Sequence, residues 1–403
     1  MSRRVVITGA GTVNALGTDV PSTLAAMREG RSAIGPLAMP DVERLAIRVG
    51  AQVRGWDEAA RFDRQQIALL DRYAQFAVVA AREAVAQAGV SFEGEAGERA
   101  GVILGTSGGG LGTQDASYRL VYAEGRNRVH PFTVPRLMNS AAAAHLSMAH
   151  GLRGPAFTVS SACASSNHAI GQAVQFVRAG LADVMLAGGA EAMLCFGGVK
   201  AWEGLRVMAP DTCRPFCATR AGMVQGEGAA VFVLEERGRA LRRGAGILAE
   251  VAGVAMNADA GDIVLPSLDG ATRAIGGALR DASMPAEAVG YVNAHGTGTA
   301  ANDRTECAAV RRALGPHAER VMVSSTKAMH GHCMGAAGAV ELLACIMALR
   351  DGVVAPTANW QAADPDCALD VVPNEAREAR VDACLSNAFA FGGMNAVLAL
   401  RAA

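Results

Sequence analysis

Short apolar runs that end in Gly, Ser or Thr alternate with Ala-rich segments along the whole chain. Continuous apolar runs of this kind predict buried strands, and the alternation predicts an α/β protein whose sheets are covered on both faces. The predicted strands are RVVITG (4–9), AGVILGT (100–106), AFTVSS (156–161), DVMLAGG (183–189), AAVFVLEE (229–236), VGYVNAHG (289–296), RVMVSSTK (320–327) and ACLSNAFAFGG (383–393). The helical period is clearest in DRYAQFAVVAAREAVAQAG (71–89) and GAAGAVELLACIMALRDG (335–352). A strand, a turn of small residues and a helix follow one another at Cys163 and again at His332, which suggests an internal duplication without a clear sequence repeat.

The composition excludes several classes of function. The chain has 403 residues, of which 51% are hydrophobic, and its net charge of −1 and lack of any basic stretch argue against nucleic acid as the main partner. The longest stretch without Asp, Glu, Lys or Arg, residues 154–177, contains too many polar residues to cross a bilayer. The nine cysteines are odd in number and show no paired spacing, which indicates reduced thiols. We therefore expect a soluble, cytoplasmic protein with no membrane span and no nucleic-acid partner.

Cys163 lies in FTVSSACASSNHAIGQA (157–173), among residues with little bulk. A strand that ends at Val159 or Ser160 and a helix that begins near Ala164 would place Cys163 at the helix N-terminus. The unpaired N–H groups and the helix dipole there favour a thiolate and can donate to an oxyanion, while small neighbours leave room for an acyl group. The alternative is a buried structural cysteine, which is our interpretation of the other eight.

Two histidines are candidate partners of this cysteine. YVNAHGTGTAANDRTE places His295 after an apolar strand, and VSSTKAMHGHCMGAAGAVELL places Lys327 and His332 in a glycine-rich turn before a helix. Either histidine alone could be structural. His330 and His332 could form a metal pair, but the chain offers no third ligand at a suitable spacing. The loop GTSGGGLG (105–112) lacks the lysine and the glycine order of nucleotide-binding loops.

Four ordered motifs carry a family resemblance: SSACASSNHAIG, NAHGTGT, SSTKAMHGHCMGAAG and SNAFAFGGMN. Together they resemble the β-ketoacyl-[acyl carrier protein] synthase family, the elongating ketosynthases of type II fatty-acid and polyketide synthesis. The resemblance runs from RRVVITGAGTVNALG to the terminal NAVLALR and so covers essentially the whole chain. APDTCRPF and ADPDCALDV are further similar to the nodulation-type branch, which makes specialised polyunsaturated acyl chains.

The resemblance implies a thiolase-like five-layer α-β-α-β-α sandwich of two similar halves. We expect residues 1–250 to carry the nucleophile and residues 251–403 to carry both histidines. It also implies a homodimer, or a heterodimer with a homologous ketosynthase-like subunit, and an acyl carrier protein as the partner that delivers substrates. The family's functional residues fall on Cys163 (nucleophile), His295 and His332 (enolate donors), Lys327 and Glu306 (their network), Thr297 and Thr299 (pantetheine), and Phe391 with Phe389 (gate of the acyl chamber).

The chemistry implied is a decarboxylative Claisen condensation. Cys163 takes an acyl chain as a thioester, with the N–H groups of Cys163 and Phe391 as oxyanion donors. Malonyl-ACP then loses CO2, the two imidazoles stabilise the enolate, and its attack extends the chain by two carbons. No metal or redox cofactor is required, although in some relatives a monovalent cation sits behind the site, and Asn293, Glu341, Ser386 and Asn387 match its ligands.

Several positions depart from the family pattern. Gly108 stands where a branched residue caps the acyl tunnel, and Ala141 and Ala142 replace larger residues on a helix expected beside that tunnel. We therefore expect long, rigid or polyunsaturated acyl chains, unless Met138 or Met193 fills the space. In the gate motif AFAFGGM, Ala390 and Met394 replace a usual glycine and threonine.

The carrier-docking surface also differs from the family pattern. Carrier proteins are acidic, and relatives carry basic residues in the segment aligned with FDRQQIALLDRY (62–73). This chain keeps Arg64 and Arg72 there but has uncharged residues at Gln65, Ala68 and Leu69. Arg126, Arg128 and Arg206 are candidates for the rest of the patch. A dedicated carrier protein with a more apolar contact would account for the difference.

Two other functions compete with the synthase. A biosynthetic thiolase would use coenzyme A and a second catalytic cysteine in a late Cys-Gly context, and the late motif here, AFAFGGMN, contains no cysteine. A chain-length-determining partner subunit would usually lack the nucleophile, which this chain keeps.

Overall fold

Ten strands form one mixed β-sheet through the molecule, of which the computed structural model describes residues 3–403. They are β1 (Val5–Asn14), β2 (Ala100–Gly105), β3 (Ala156–Val159), β4 (Val184–Glu191), β5 (Gly228–Glu236), β6 (Ala249–Ala258), β7 (Tyr291–Asn293), β8 (Met322–Ser324), β9 (Ala383–Ala390) and β10 (Met394–Arg401). Two short ribbons pair Gly35–Pro36 with Val49–Gly50 and Val353–Val354 with Arg377–Glu378. All eight strands predicted from the sequence are present.

The strand order shows that the fold is built from two equivalent halves. Across the sheet the order is β8–β7–β9–β10–β6–β1–β5–β4–β2–β3. When each half is numbered by its own five strands, both halves have the order 3-2-4-5-1. In both, two parallel pairings are followed by two antiparallel ones. This repeated topology confirms the prediction of two similar halves.

The halves are joined by an antiparallel pairing of β1 with β6. It consists of three residue pairs, in which residues 5–7 face residues 249–251. The predicted division after residue 250 falls at the second residue of β6. That division stays a prediction.

The helices connect the strands in the same way in each half. They are α1 (Val20–Arg28), α2 (Arg64–Leu69), α3 (Arg72–Ala88), α4 (Glu95–Glu98), α5 (Leu111–Tyr118), α6 (Thr133–Leu137), α7 (Ala141–His150), α8 (Ser165–Arg178), α9 (Phe196–Gly204), α10 (Arg237–Arg242), α11 (Leu268–Asp281), α12 (Ala300–Leu314), α13 (Lys327–His330) and α14 (Ala337–Asp351). By their place in the topology, α3, α7 and α8 of the first half correspond to α11, α12 and α14 of the second.

Packing of these helices produces five layers. α8 and α14 lie between the two half-sheets, and their apolar side chains form one core with strands of both. α3 and α7 cover the outer face of the first half-sheet, and α11 and α12 cover that of the second. The α-β-α-β-α sandwich expected from the resemblance is confirmed. Among residues 3–403, no helix has both the length and the apolar character needed to cross a membrane.

Candidate active site

Cys163 lies in a tight turn between β3 and α8, just before the helix begins at Ser165. Ala162 adopts a left-handed backbone conformation with φ of +47°. The Ser165 hydroxyl closes the turn, because it accepts from the N–H of Ser161 at 2.9 Å and donates to the carbonyl of Ala162 at 2.6 Å. One serine beside the cysteine therefore fixes the turn that presents the thiol.

His332 occupies the corresponding turn of the second half, between β8 and α14. Met334, three residues before α14, has φ of +45°, as Ala162 has three residues before α8. His295 follows β7, the strand next to β8 in the sheet. Because α8 and α14 lie side by side between the half-sheets, the duplication brings the cysteine of one half to the histidines of the other.

Cys163, His295 and His332 meet in one buried cluster. The sulfur and one ring nitrogen of each histidine lie within 4.8 Å of one another, and the two imidazole rings meet edge to face with centroids 5.5 Å apart. Spacing along the chain predicts no third metal ligand near His332. In the folded protein, however, Cys163 and His295 both lie next to His332. The pair suggested with His330 does not form, because the two ring nitrogens of His330 contact the Gly331 carbonyl and the Thr326 hydroxyl.

The hydrogen bonds of the histidines fix which nitrogen carries the proton. The N–H of Met334 donates to Nδ1 of His332 at 3.1 Å, and the Lys327 ammonium lies 3.5 Å from Nδ1 of His295. Both Nδ1 atoms are therefore acceptors, and each neutral ring carries its proton on Nε2. Burial, together with the positive charge of Lys327, lowers the pKa of both histidines well below the usual value. The site thus holds two neutral imidazoles with Nε2–H donors.

Lys327 is fully buried and holds His295 from behind. Its ammonium donates to the carbonyl of His295 at 2.6 Å and forms an ion pair with Glu341, which is buried as well. Glu306 fixes the backbone at the same point, because it accepts from the N–H groups of His295 and Gly296 at 2.8 and 2.7 Å. Lys327 and Glu306 therefore act on the position of His295.

The electrostatic setting of Cys163 differs from the expectation. Burial raises the pKa of the Cys163 thiol to about 12, and the charge of Lys327 opposes that rise. The helix N-terminus was expected to favour the thiolate, but desolvation of a buried sulfur is the larger effect. The resting side chain is a thiol, so its proton must leave as the sulfur attacks.

A cavity that opens to solvent is lined by all three residues of the cluster. Thr297, Thr299, Phe389 and Phe391 line it, and the two threonine hydroxyls are 2.8 Å apart. The Phe391 ring stacks on Trp202, with centroids 5.8 Å apart and planes 26° apart. Ala390 has an ordinary extended backbone at the end of β9, so its side chain causes no strain there.

The structure does not bring Gly108 to the wall of this cavity. A Cβ atom at Gly108 would lie 3.1–3.3 Å from the side chain of Met193, which belongs to the apolar cluster around Cys163. Ala141 and Ala142 are buried in the core that contains Tyr73, and neither lines this cavity. Met138 is exposed and is not among the side chains nearest Gly108, whose closest neighbours are all atoms of Met193.

The four residues expected to hold a monovalent cation are all fully buried. Asn293 and Ser386 face each other in the pairing of β7 with β9, and Asn387 follows Ser386. Asn293 Oδ1, Glu341 Oε2 and Asn387 Oδ1 have no hydrogen-bond partner. Buried oxygens without a partner fit a bound cation or an ordered water.

Sequence reasoning missed several residues of the site. Glu191, fully buried at the end of β4, accepts from the N–H groups of Ser107, Gly108 and Gly335 at 2.7–3.1 Å and so ties the two halves together beside the site. Trp202 and Asn302 line the cavity, as do residues 264–266. Among these residues, only Glu191 has a feature in the sequence that could have marked it, because it is a charged residue that follows the apolar strand DVMLAGG.

Comparison with known proteins identifies the family. Residues 2–240 match the model of the β-ketoacyl synthase N-terminal domain, and residues 248–361 match that of the C-terminal domain. Nodulation protein E of Rhizobium sp. (strain N33) is 52% identical over the full length of both chains. The 3-oxoacyl-[acyl-carrier-protein] synthase 2 of Synechocystis sp. is 39% identical, with 99% of this chain and 98% of the relative covered.

A solved structure agrees with the sequence relatives. The ishigamide ketosynthase/chain length factor superposes with a TM-score of 0.94 at 37% identity, and all of both chains is covered. The resemblance to the nodulation-type branch is thus confirmed, as is the thiolase-like ketosynthase fold. With both domain models matched around a Cys-His-His cluster, the chain belongs to the β-ketoacyl synthase family of acyltransferases.

Proposed function

We propose that the protein is a β-ketoacyl-[acyl carrier protein] synthase that condenses malonyl-ACP with an acyl chain held on Cys163. The observation that carries the proposal is the pair of neutral Nε2–H donors of His295 and His332 beside one thiol. A thiol can hold an acyl group, and two N–H donors can bind an enolate oxygen without giving up a strong acid.

The first half-reaction loads the enzyme. The sulfur of Cys163 attacks the carbonyl of an acyl-ACP thioester, the bond to the pantetheine sulfur breaks, and the proton of Cys163 ends on the departing thiol. The N–H groups of Cys163 and Phe391 are suited to bind the oxyanion, because both residues are on the cavity wall. Phe391 must move for a long chain to pass.

The second half-reaction extends the chain. The pantetheine arm of malonyl-ACP lies along Thr297 and Thr299, and its thioester oxygen receives the Nε2–H groups of His295 and His332. Loss of CO2 leaves an enolate whose carbon attacks the acyl-Cys163 carbonyl. The carbon–sulfur bond then breaks, the released Cys163 thiolate takes up a proton from solvent, and 3-oxoacyl-ACP leaves. The neutral histidines suit this step because the enolate charge is balanced by donated hydrogen bonds.

The acyl chain we propose is long, rigid or polyunsaturated. The 52% identity with a nodulation protein supports a specialised chain. Gly108 does not line the cavity but supports added length indirectly, since the side chain beside it, Met193, is a flexible thioether that packs against the apolar cluster around Cys163.

We also propose a dimer, with a second copy or with a homologous subunit. β3 is the outermost strand of the sheet, and its residues 156 and 157 are exposed. An exposed strand edge with apolar neighbours favours pairing with another subunit. Phe157 on this strand and Met148 on α7, which packs against it, are both exposed apolar side chains. Acyl carrier protein is the second partner that we propose. The proposed location is the cytoplasm, because the nine unpaired thiols stay reduced there.

A monovalent cation fits the unpartnered oxygens of Asn293, Glu341 and Asn387. Because Lys327 already balances the charge of Glu341, a single positive charge suits the site better than a divalent ion. When bound, it would supply electrostatic stabilisation to the buried end of β7 and the middle of β9. Lys327 and Glu306 position His295 in either case.

Intact-protein mass spectrometry tests the proposed function. Wild type incubated with acyl-ACP should gain one acyl mass on Cys163, and added malonyl-ACP should remove it with release of CO2 and 3-oxoacyl-ACP. A chain-length-determining subunit would gain no mass, and a thiolase would accept acyl groups from coenzyme A in preference to carrier protein. Either outcome would overturn the proposal.

A further inference from the structure

Glu191 is a buried carboxylate that the proposed reaction steps do not use. It lies at the end of β4, and its hydrogen bonds come from two separate parts of the chain. Oε1 accepts from the Thr106 hydroxyl and the Gly108 N–H at 3.0 and 3.1 Å, and Oε2 accepts from the N–H and the hydroxyl of Ser107. Oε2 also accepts from the N–H of Gly335 at 3.0 Å. One carboxylate therefore joins the loop after β2 to the turn that leads into α14.

The surroundings of Glu191 favour an acceptor on both of its oxygens. Burial raises the pKa of its carboxyl, and the hydrogen bonds from Ser107 and Gly108 oppose that rise. Three of the five donors are backbone N–H groups, which can donate but not accept. Gly335 lies directly before α14, where the helix dipole favours a negative charge. The carboxylate is thus matched to donors that are fixed in the fold.

Gly335 belongs to the turn that orients the ring of His332. Met334, which lies between them, has φ of +45°, a left-handed conformation that a side chain disfavours. In this conformation the Met334 N–H donates to Nδ1 of His332 at 3.1 Å. The backbone of His332 is held separately, because its N–H donates to the carbonyl of Val224 at 2.7 Å. The conformation of Met334 therefore decides what Nδ1 contacts, and its neighbour Gly335 is the residue that Glu191 holds.

The contact at Nδ1 determines which nitrogen of His332 carries the proton. While the Met334 N–H donates to Nδ1, that nitrogen is an acceptor and the hydrogen is on Nε2. If Met334 relaxed out of the left-handed region, its N–H would leave Nδ1, which would then be free to carry the hydrogen. Nε2 would present a lone pair in that tautomer, and a lone pair cannot donate to an enolate oxygen.

We propose that Glu191 is a positioning residue that fixes His332 as the Nε2–H tautomer by holding the Met334 turn through Gly335. The consequence for catalysis rests on the proposed function, in which Nε2–H of His332 binds the enolate. The turn of Cys163 does not depend on Glu191, because the Ser165 hydroxyl closes it. Loss of Glu191 should therefore slow decarboxylation and spare acylation.

Two measurements test the proposal on Glu191→Met, which keeps the length of the side chain but has no oxygen. Nitrogen NMR of protein with isotope-labelled histidine reports the tautomer of His332, whose signal is assigned by its absence from His332→Ala. We expect the Nε2–H pattern to give way to a mixture of tautomers. In CO2 release from malonyl-ACP, kcat should fall about tenfold or more while KM stays unchanged, because an enolate donor is lost and not a binding contact.

Two further substitutions at the same position separate the hydrogen bond from the charge. Glu191→Gln keeps one oxygen, which can stay between the N–H groups of Ser107 and Gly335, so it should recover most of kcat. Glu191→Asp keeps the charge but is one methylene shorter, so it cannot reach both N–H groups and its kcat should lie below that of Glu191→Gln. Glu191→Asp also decides the question if Glu191→Met does not fold, because its His332 should show the same mixture of tautomers.

Glu83→Gln is the matched control. Glu83 also accepts from two backbone N–H groups, those of Thr12 and Val20, at 2.9 and 2.8 Å, and it does not line the cavity. This substitution should change neither the tautomer of His332 nor kcat.

Three results would overturn the proposal. They are a pure Nε2–H His332 in Glu191→Met and Glu191→Asp, equal losses of acylation and decarboxylation, and a higher kcat in Glu191→Asp than in Glu191→Gln. A wild type that holds His332 as the Nε2–H tautomer but releases no CO2 from malonyl-ACP would instead refute the proposed function. In that case the NMR comparison alone decides whether Glu191 fixes the tautomer.

Discussion

The ammonium group of Lys327 lies 3.5 Å from Nδ1 of His295 and donates to the carbonyl of the same residue at 2.6 Å. A buried cation in this position keeps the imidazole neutral, because protonation would place two positive charges side by side. The nearby Glu341 is the counter-ion that makes burial of Lys327 tolerable.

Replacing this lysine should change the pH profile of decarboxylation. The charge of Lys327 lowers the pKa of His295 and of His332, so Lys327→Met should raise both. The protonated fraction then grows as pH falls, and the acid limb of malonyl-ACP decarboxylation should move to higher pH. Lys200→Met removes the other lysine of the chain, which is exposed, and should leave the profile in place. An unshifted acid limb in Lys327→Met would contradict the electrostatic role.

Substitutions of the cysteine and of the two histidines should affect different steps of the reaction. Cys163→Ala should abolish acylation and condensation. His295→Ala and His332→Ala should spare acylation but slow decarboxylation about 100- to 1,000-fold each, the usual effect of one lost oxyanion donor. Acyl transfer is measured by protein mass and decarboxylation by CO2 release. His317→Ala, which removes a histidine bonded to Val289 away from the cavity, should affect neither. Normal chain elongation by Cys163→Ala would refute the assignment of the nucleophile.

The stacked ring of Trp202 should hold the gate residue Phe391 in place. An aromatic stack contributes about 0.5–1.5 kcal/mol, so Trp202→Leu should shift the gate toward open positions and Trp202→Phe should not. In a Trp56→Phe/Trp360→Phe background, Trp202 is the remaining tryptophan, and its emission should change on acylation as Phe391 leaves the stack. Constant emission through loading with a long acyl chain would show that Phe391 does not move past Trp202.

The sequence predicted much of this fold but not its assembly. The strands β6 (AEVAGVAMNA) and β10 (MNAVLALR) are absent from the predicted set, because alanine and leucine give no clear strand signal, and only their pairing with neighbouring strands defines them. The sequences around Cys163 and His332 each predict a turn before a helix. Their meeting depends on the contact of α8 with α14, which spacing along the chain does not encode. Trp202 was missed for the same reason, since its partner Phe391 is far away in sequence.

A cation bound at the unpartnered oxygens of Asn293, Glu341 and Asn387 should raise the melting temperature of the protein. A ligand that binds the folded state alone raises the melting temperature, so NaCl or KCl should stabilise wild type more than choline chloride at equal ionic strength. Asn387→Leu removes one oxygen and should abolish the difference between the salts. Equal melting temperatures of wild type in all three salts would mean that water satisfies these oxygens.

Met193 and Gly108 should together set the length of acyl chain that is accepted. A side chain at position 108 would meet Met193 at 3.1–3.3 Å, and Met193 packs in the apolar cluster that contains Cys163. Because a thioether on three rotatable bonds can swing away, wild type should accept long polyunsaturated chains. In Gly108→Ile the space into which Met193 moves is filled, so long chains should lose rate by about tenfold or more while short saturated chains are spared.

The double variant Gly108→Ile/Met193→Ala tests the pairing of these two residues. Removing the thioether should restore room beside the isoleucine, and long-chain rates should recover toward wild type. If the two positions act independently, the losses add instead, which a double-mutant cycle measures directly. A series of acyl-ACP substrates of increasing length and unsaturation gives the rates. Uniform loss across that series, or wild type without long-chain activity, would show that Met193 is a fixed wall and that Gly108 adds no length to the chamber.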